Sequence, residues 1–239
     1  MTHGLDIIFE DDNLLVLNKL PGLVCHPTKS GEMSSLVGRV RLYLGKNGHL
    51  VNRLDRETSG VTIVAKNPAT AGALGKLWES RSVEKIYLAI VHGIIERDSG
   101  TIDLPLGKDE KSEIAIKDCV RTDGAAAQTE YQVEKIIRRE GRDFSVVRVT
   151  PRTGRKHQIR IHLAAVGHPV VGDKLYGGNE DHYLALVQDR LTEEDWRQLL
   201  MRNQALHALS VRFAWQEVVR EFTAAPSEEF RRWLGEMPK

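Results

Sequence analysis

The 239-residue chain has only two cysteines, Cys25 and Cys119, and they are 94 positions apart. That count excludes a disulfide framework and a zinc knuckle, and it fits reduced thiols in a cytoplasmic protein. Aromatic residues make up 6% of the chain and prolines number eight. No segment approaches the ~18 consecutive apolar residues of a membrane span, so no membrane partner is expected. The first residues, Met1 to Asn13, carry acids where a secretion signal has a basic region and a longer apolar core. Charge of one sign is also missing: 34 Lys and Arg against 33 Asp and Glu leave a formal +1. There is no Gly-x-x-x-x-Gly-Lys phosphate loop, no dinucleotide fingerprint and no Gly-x-Ser-x-Gly elbow. Internal repeats, low-complexity tracts and linkers rich in Pro, Gly or Ser are absent too.

What is present suits a folded chain. Apolar residues reach 41%, charged residues 28%, and mean hydropathy is −0.33. Disordered chains have fewer apolar residues and a larger charge imbalance. A chain this long buries roughly 70–75% of its extended surface. With no linker, one domain over residues 1–239 is expected, monomeric by default.

The pattern of elements favours strands and hairpins over a regular βαβ alternation. Ile7–Phe9 and Leu14–Leu17 flank the polar Glu10–Asn13, and Pro21-Gly22 ends that pair. Ser34 to Leu44 has helical apolar spacing, with Gly45 as its stop. Strands are expected at Leu50–Leu54 and Val61–Ala65. Asn67-Pro68 is a cap followed by proline at the first helical position. Ile86–His92 reads as a strand, and Gln128–Ile137 with Phe144–Val149 as a hairpin around Gly141. His157 to Val166 reads as a short helix. Thr192 with Asp195 resembles a capping box. Strands at Leu206–Trp215 and Glu217–Phe222 precede a closing helix over Ser227–Leu234. The fold class expected is α+β, with a mixed, largely antiparallel central sheet flanked by helices.

Three segments carry candidate chemistry. Between Lys135 and Arg160, nine basic residues face only Glu140 and Asp143, a local +7. Such a stretch is either a solvated hairpin or a face for phosphates. Asn52 to Gly60 places Arg, Asp, Glu, Thr and Ser on a loop between two apolar strands. Asp55 there is either a turn residue satisfying amides or a reactive carboxylate held by rigid strands. Thr150 to His162 is a basic loop opening a helix, where anions are favoured. His157 and His162 are five apart, roughly 140° around a helix, whereas paired metal ligands sit three or four apart. That spacing argues against a metal. Cys25 before His26 reads as a buried structural thiol.

Taken in order, these motifs resemble the RluA-type pseudouridine synthases over nearly the whole chain. Arg53 to Gly60 reads R-L-D-R-E-T-S-G, as around that family's catalytic aspartate. Leu14–Pro27 resembles the opening strands, Lys85–Ala89 the strand carrying the active-site tyrosine, Thr153–Asp173 the basic motif, and Leu206-His207-Ala208 a late strand. Asn52 stands where His is usual, and Asn18-Lys19-Leu20-Pro21-Gly22 departs from Lys-Pro-x-Gly. The resemblance implies a stand-alone catalytic domain without the N-terminal RNA-binding domain of some members. It also implies isomerisation of a uridine in structured ribosomal or transfer RNA, with no cofactor and no metal. Asp55 would be the nucleophile, or would remove a ribose proton in a glycal route. Arg160 would pair with Asp55, Tyr87 would stack on the uracil and serve as acid or base at C5, and Arg53 would fill the stack of a flipped base. Arg152, Arg155, Lys156 and His157 would contact RNA. The readings left to compete are an RNA binder without catalysis and a metal-dependent nuclease built on Asp55 and the histidines.

Overall fold

The computed structural model describes residues 2–27 and 31–235. They form two compact units: residues up to Tyr87 together with those from His207 onward, and residues Leu88–Leu206. The fold is α+β, as the sequence pattern indicates.

The first unit starts with strands β1 (Ile7–Glu10) and β2 (Leu14–Lys19), paired antiparallel. Asp11 shapes the turn by accepting from the Asn13 and Leu14 amides. A 3-10 turn, Glu32–Ser34, leads into helix α1 (Leu36–Leu44). Ser35 caps α1 through the Gly38 N–H, and Gly45 ends it in the left-handed conformation. The strand expected over Leu50–Leu54 is only β3 (His49–Leu50). Beyond it, side chains take over the pairing. Strand β4 (Ser59–Ala65) follows, then helix α2 (Pro68–Glu79) with Asn67 as its cap, and β5 (Glu84–His92), inside which the first unit ends.

Strands β2 and β4 are antiparallel neighbours and are buried on both faces, so they read as unbroken apolar runs rather than alternating ones. Leu14, Val16, Val61 and Ile63 pack with Leu74 of α2. Leu15, Leu17 and Val64 point the other way, onto Leu36 and Val40 of α1.

In the second unit β6 (Ser99–Asp103) pairs with β9 (Gln128–Arg139), after the small ribbon β7 (Leu106–Lys108) and β8 (Asp118–Val120). Strand β9 turns at Glu140-Gly141, both at positive φ, into β10 (Arg142–Pro151). That is the expected hairpin, with a register shift between Val146 and Val147. Helix α3 (Gln158–Ala165) packs on β8, β9 and β10. Helices α4 (Asp181–Val187) and α5 (Glu193–Leu199) follow; Thr192 and Asp195 make the capping box of α5. The chain then re-enters the first unit along β11 (Leu206–Trp215), which pairs with β12 (Val218–Thr223), and ends in α6 (Glu228–Leu234), capped by Ser227. Among the described residues no helix is long and apolar enough to cross a membrane.

One contact fixes where the Asp55 loop meets this framework. Strand β11 runs parallel to β4 at its start, with His207 opposite Ser59 and Ala208 opposite Gly60. Gly60 has φ +114°, and a Cβ there would lie 2.2 Å from the Ala208 carbonyl oxygen. Both the backbone conformation and the close approach require glycine. Gly60→Ala is expected to destabilise the protein by at least about 2 kcal/mol in urea denaturation. A loss below about 0.5 kcal/mol, the range of a neutral surface change, contradicts this packing.

Candidate active site

Asp55 is half-buried on the loop between β3 and β4, and side chains at its entry, middle and exit hold that loop. At its entry, Asn52 Nδ2 donates to the Val61 carbonyl at 3.0 Å and its Oδ1 accepts from the Ile63 N–H at 2.8 Å. The carboxamide thus pairs with β4 much as another strand residue would. In the middle, Cys25 Sγ donates to the Leu54 carbonyl at 3.4 Å, consistent with a buried structural thiol. At the exit, Ser59 Oγ lies 2.8 Å from His207 Nδ1, and His207 Nε2 is 2.9 Å from the Ala224 carbonyl. A carbonyl only accepts, so Nε2 carries the proton and Nδ1 accepts from the serine. Burial holds the His207 pKa below its usual value, against the opposing pull of the Ala224 carbonyl. The ring is therefore neutral at pH 7.

Lys19, at the end of β2, is 1% exposed. Its Nζ donates to the carbonyls of Leu20 (3.0 Å), Leu23 (2.9 Å) and Arg56 (3.1 Å). The last bond anchors the residue next to Asp55, and the Gly22 N–H donates to the same Arg56 oxygen. Sequence reasoning missed this role. The signals were a charged residue closing a largely apolar strand and its place in the Asn18–Gly22 motif. Burial lowers the Lys19 pKa to about 8, while Cys25 and the Asp55 charge act in the opposite direction.

The structure brings Asp55 and Tyr87 together. Tyr87 is half-buried on β5. Burial first, and the Asp55 charge second, push its phenol well above the usual value. At neutral pH it is an uncharged phenol, suited to stacking and to donating a hydrogen bond. Arg53, two residues before Asp55, is exposed.

The other candidates lie in the second unit. Arg160 is buried in α3 and grips Asp173 with a two-pronged fork, Nε to Oδ2 at 2.6 Å and Nη2 to Oδ1 at 2.8 Å. Asp173 Oδ1 also accepts from the Leu175 and Tyr176 amides. Burial alone would raise the Asp173 pKa, but Arg160 and those two N–H groups outweigh it and hold the carboxylate below its usual range. Pairing of Arg160 with Asp173 was not anticipated, although Gly172-Asp173 closes the recognised basic motif.

The local +7 is partly offset by acids from outside the counted stretch. Across the hairpin Glu134 pairs with Arg148 and Glu130 with Arg152, while the Arg138–Asp143 pair lies within the stretch. Lys156 pairs with Asp118 on β8. Cross-strand partners are separated widely in sequence, so a linear count cannot see them. Arg155 is exposed, its Nε donating to the Ala126 carbonyl. His157 sits in the left-handed conformation, φ 54°, just before α3, with Nδ1 2.9 Å from Tyr176 Oη. His162 is fully buried and spends both ring nitrogens, on Thr129 Oγ1 and on the Leu104 carbonyl. Among the described residues there is no group of three or more His, Cys, Asp or Glu that could hold a metal ion.

Removing the Lys19 amine should destabilise the protein, because three part-buried hydrogen bonds are lost, the Arg56 carbonyl keeping its bond from Gly22. Lys19→Met is expected to cost about 2–4 kcal/mol in chemical denaturation. The pH dependence carries a second signature. The folded protein releases the Lys19 proton near pH 8, whereas the unfolded chain holds it to about pH 10.4. Between these values the unfolded state binds more protons, so the wild type gains stability as pH rises through that window. Lys19→Met lacks this gain, and parallel pH profiles for the two proteins contradict the assignment.

Comparison with known proteins places the chain among similar sequences and folds. The family model described as RNA pseudouridylate synthase matches residues 13–165. An uncharacterized RNA pseudouridine synthase of Chlorobaculum parvum is 36% identical over 219 residues, 87% of this chain and 65% of that protein. The dual-specificity RNA pseudouridine synthase RluA of Vibrio parahaemolyticus is 41% identical over 177 residues, covering 73% of this chain and 70% of its own. The chain spans about two thirds of the length of these curated relatives. Among solved structures, human RNA pseudouridylate synthase domain containing 1 superimposes with a TM-score of 0.76 at 27% identity, over 95% of this chain and 85% of that one. With the family model covering well over half of its length, the chain belongs to the RNA pseudouridylate synthase family.

Proposed function

We propose that the chain is a pseudouridine synthase that isomerises a uridine in structured ribosomal or transfer RNA, with Asp55 as its reactive carboxylate. The observation that carries this reading is the R-L-D-R-E-T-S-G loop. It presents a half-buried carboxylate beside a neutral tyrosine, on a backbone held at entry, middle and exit.

In this reaction the bond from N1 to the ribose C1′ breaks and a bond from C5 to C1′ forms. C5 gives up a proton and N1 gains one, so the change is an isomerisation that balances without oxidant or reductant. Asp55 either forms a covalent intermediate, as carboxylate nucleophiles do, or removes a ribose proton to open a glycal route. Tyr87 stacks on the uracil and handles the proton at C5. Arg160, gripped by Asp173, is in this reading the guanidinium partner of the reactive carboxylate. No cofactor or metal takes part in any of these steps.

RNA reaches the site through Arg152, Arg155, Lys156 and His157. Arg152 and Lys156 are already in exposed ion pairs, which are worth little in water. Phosphates can displace those acids at small cost, and Glu130 and Asp118 then temper non-specific affinity.

Two experiments test the reading. In a tritium-release assay on C5-labelled RNA, Asp55→Asn should lose at least a thousandfold in rate and keep its RNA affinity within a few fold. Residual turnover within tenfold of wild type removes Asp55 from the role. Release of label without chain cleavage also separates a synthase from a mere binder and from a nuclease. The second concerns base flipping. A stem uridine must leave its stack at a cost of a few kcal/mol, and Arg53 is placed to fill the gap. Arg53→Ala should lose roughly 5- to 150-fold more activity on a folded target than on an unstructured RNA of the same local sequence. Equal losses on both return Arg53 to a purely structural role.

A further inference from the structure

The residues that hold Arg160 are themselves part of any site that uses it. The Asp173 fork fixes the edge of the guanidinium in its own plane. Its face is covered by Tyr176, with the guanidinium carbon 4.9 Å from the ring centroid. Tyr176 is in turn oriented through its hydroxyl. The Asp118 N–H donates to that oxygen at 3.3 Å, and the same oxygen is hydrogen-bonded to His157 Nδ1 at 2.9 Å. The His157 and Tyr176 rings meet edge to face, with centroids 5.6 Å apart.

Both residues that meet Tyr176 belong to the basic loop or to its partner strand. His157 is held at a positive φ that a non-glycine residue adopts only when its surroundings enforce it. Asp118, whose backbone bonds the phenol, pairs through its carboxylate with Lys156. Anything that draws Lys156 or His157 toward a phosphate therefore pulls on the two groups that set the Tyr176 ring. That ring sets the tilt of Arg160.

We propose that Tyr176 is a positioning residue that couples the basic loop before α3 to Arg160, so that RNA seated on the loop sets the orientation of the guanidinium. This rests on the reading of Arg160 as the partner of Asp55. It goes beyond packing, although the ring also lies against Leu106, Ala127 and Ile161.

Tyr176→Phe keeps the ring and its apolar contacts and removes only the hydroxyl link. On an RNA that the wild type turns over, its single-turnover rate at saturating RNA should fall about 3- to 10-fold, the size of one lost hydrogen bond. The dissociation constant should stay within twofold and the melting temperature within about 2 °C. Tyr176→Leu, which also removes the stacked face, should lose at least 30-fold. A wild-type rate for Tyr176→Phe, or losses that track melting temperature, overturns the proposal. A readout independent of turnover uses the 15N NMR signal of the Arg160 Nε–H. Addition of an unmodified transfer-RNA transcript, which the loop engages through its phosphates whatever the target uridine, should shift that signal in the wild type but not in Tyr176→Phe. Equal responses in the two proteins, or no response in the wild type, overturn the coupling. Absence of turnover by the wild type counts against the proposed function instead.

Discussion

A short polar loop between two buried strands leaves backbone carbonyls and amides facing protein rather than water, and each unpaired group costs about 1–3 kcal/mol. The Asp55 loop meets this constraint with side chains. Asn52 extends the pairing of β3 along β4, Lys19 ties the Arg56 carbonyl to those of Leu20 and Leu23, Cys25 takes the Leu54 carbonyl, and His207 fixes Ser59. None of these groups needs to touch a substrate. Together they decide where the carboxylate points.

The same constraint links the core to the site. Strands β2 and β4 are buried on both faces, which gives the loop two rigid attachment points. Lys19 and Ser59 stand at the ends of those strands, just beyond their apolar runs. In the second unit the polar work is done by a different device. A buried carboxylate, Asp173, is held ionised by a guanidinium and two backbone N–H groups, and it orients that guanidinium in return.

Local signals were readable from sequence and non-local ones were not. Asn67-Pro68, Gly45, and Thr192 with Asp195 act within one turn of helix, and each stands where its residue types imply. Apolar runs such as Leu14–Leu17 and Val61–Ala65 mark strands wherever they fall. By contrast β6, β7 and β8 are only three to five residues long, so periodicity has nothing to register. Helix α4 starts at Asp181 with no side-chain cap from Glu180. The R-L-D-R-E-T-S-G segment announced the candidate carboxylate, but not what supports it. The Lys19 bond to Arg56 spans 37 residues and the Ser59–His207 bond spans 148. The basic stretch looked more positive than it is for the same reason, since Glu130 and Glu134 reach it only across the hairpin.

The central claim is that the Asp55 loop is rigid before any RNA arrives. Backbone 15N relaxation of the unliganded protein measures this on the picosecond-to-nanosecond scale. Order parameters for residues 53–59 near about 0.85, equal to those of β4, are the result expected of a loop braced along its length. Values below about 0.6 across Leu54–Glu57 would show a flexible loop and contradict the account.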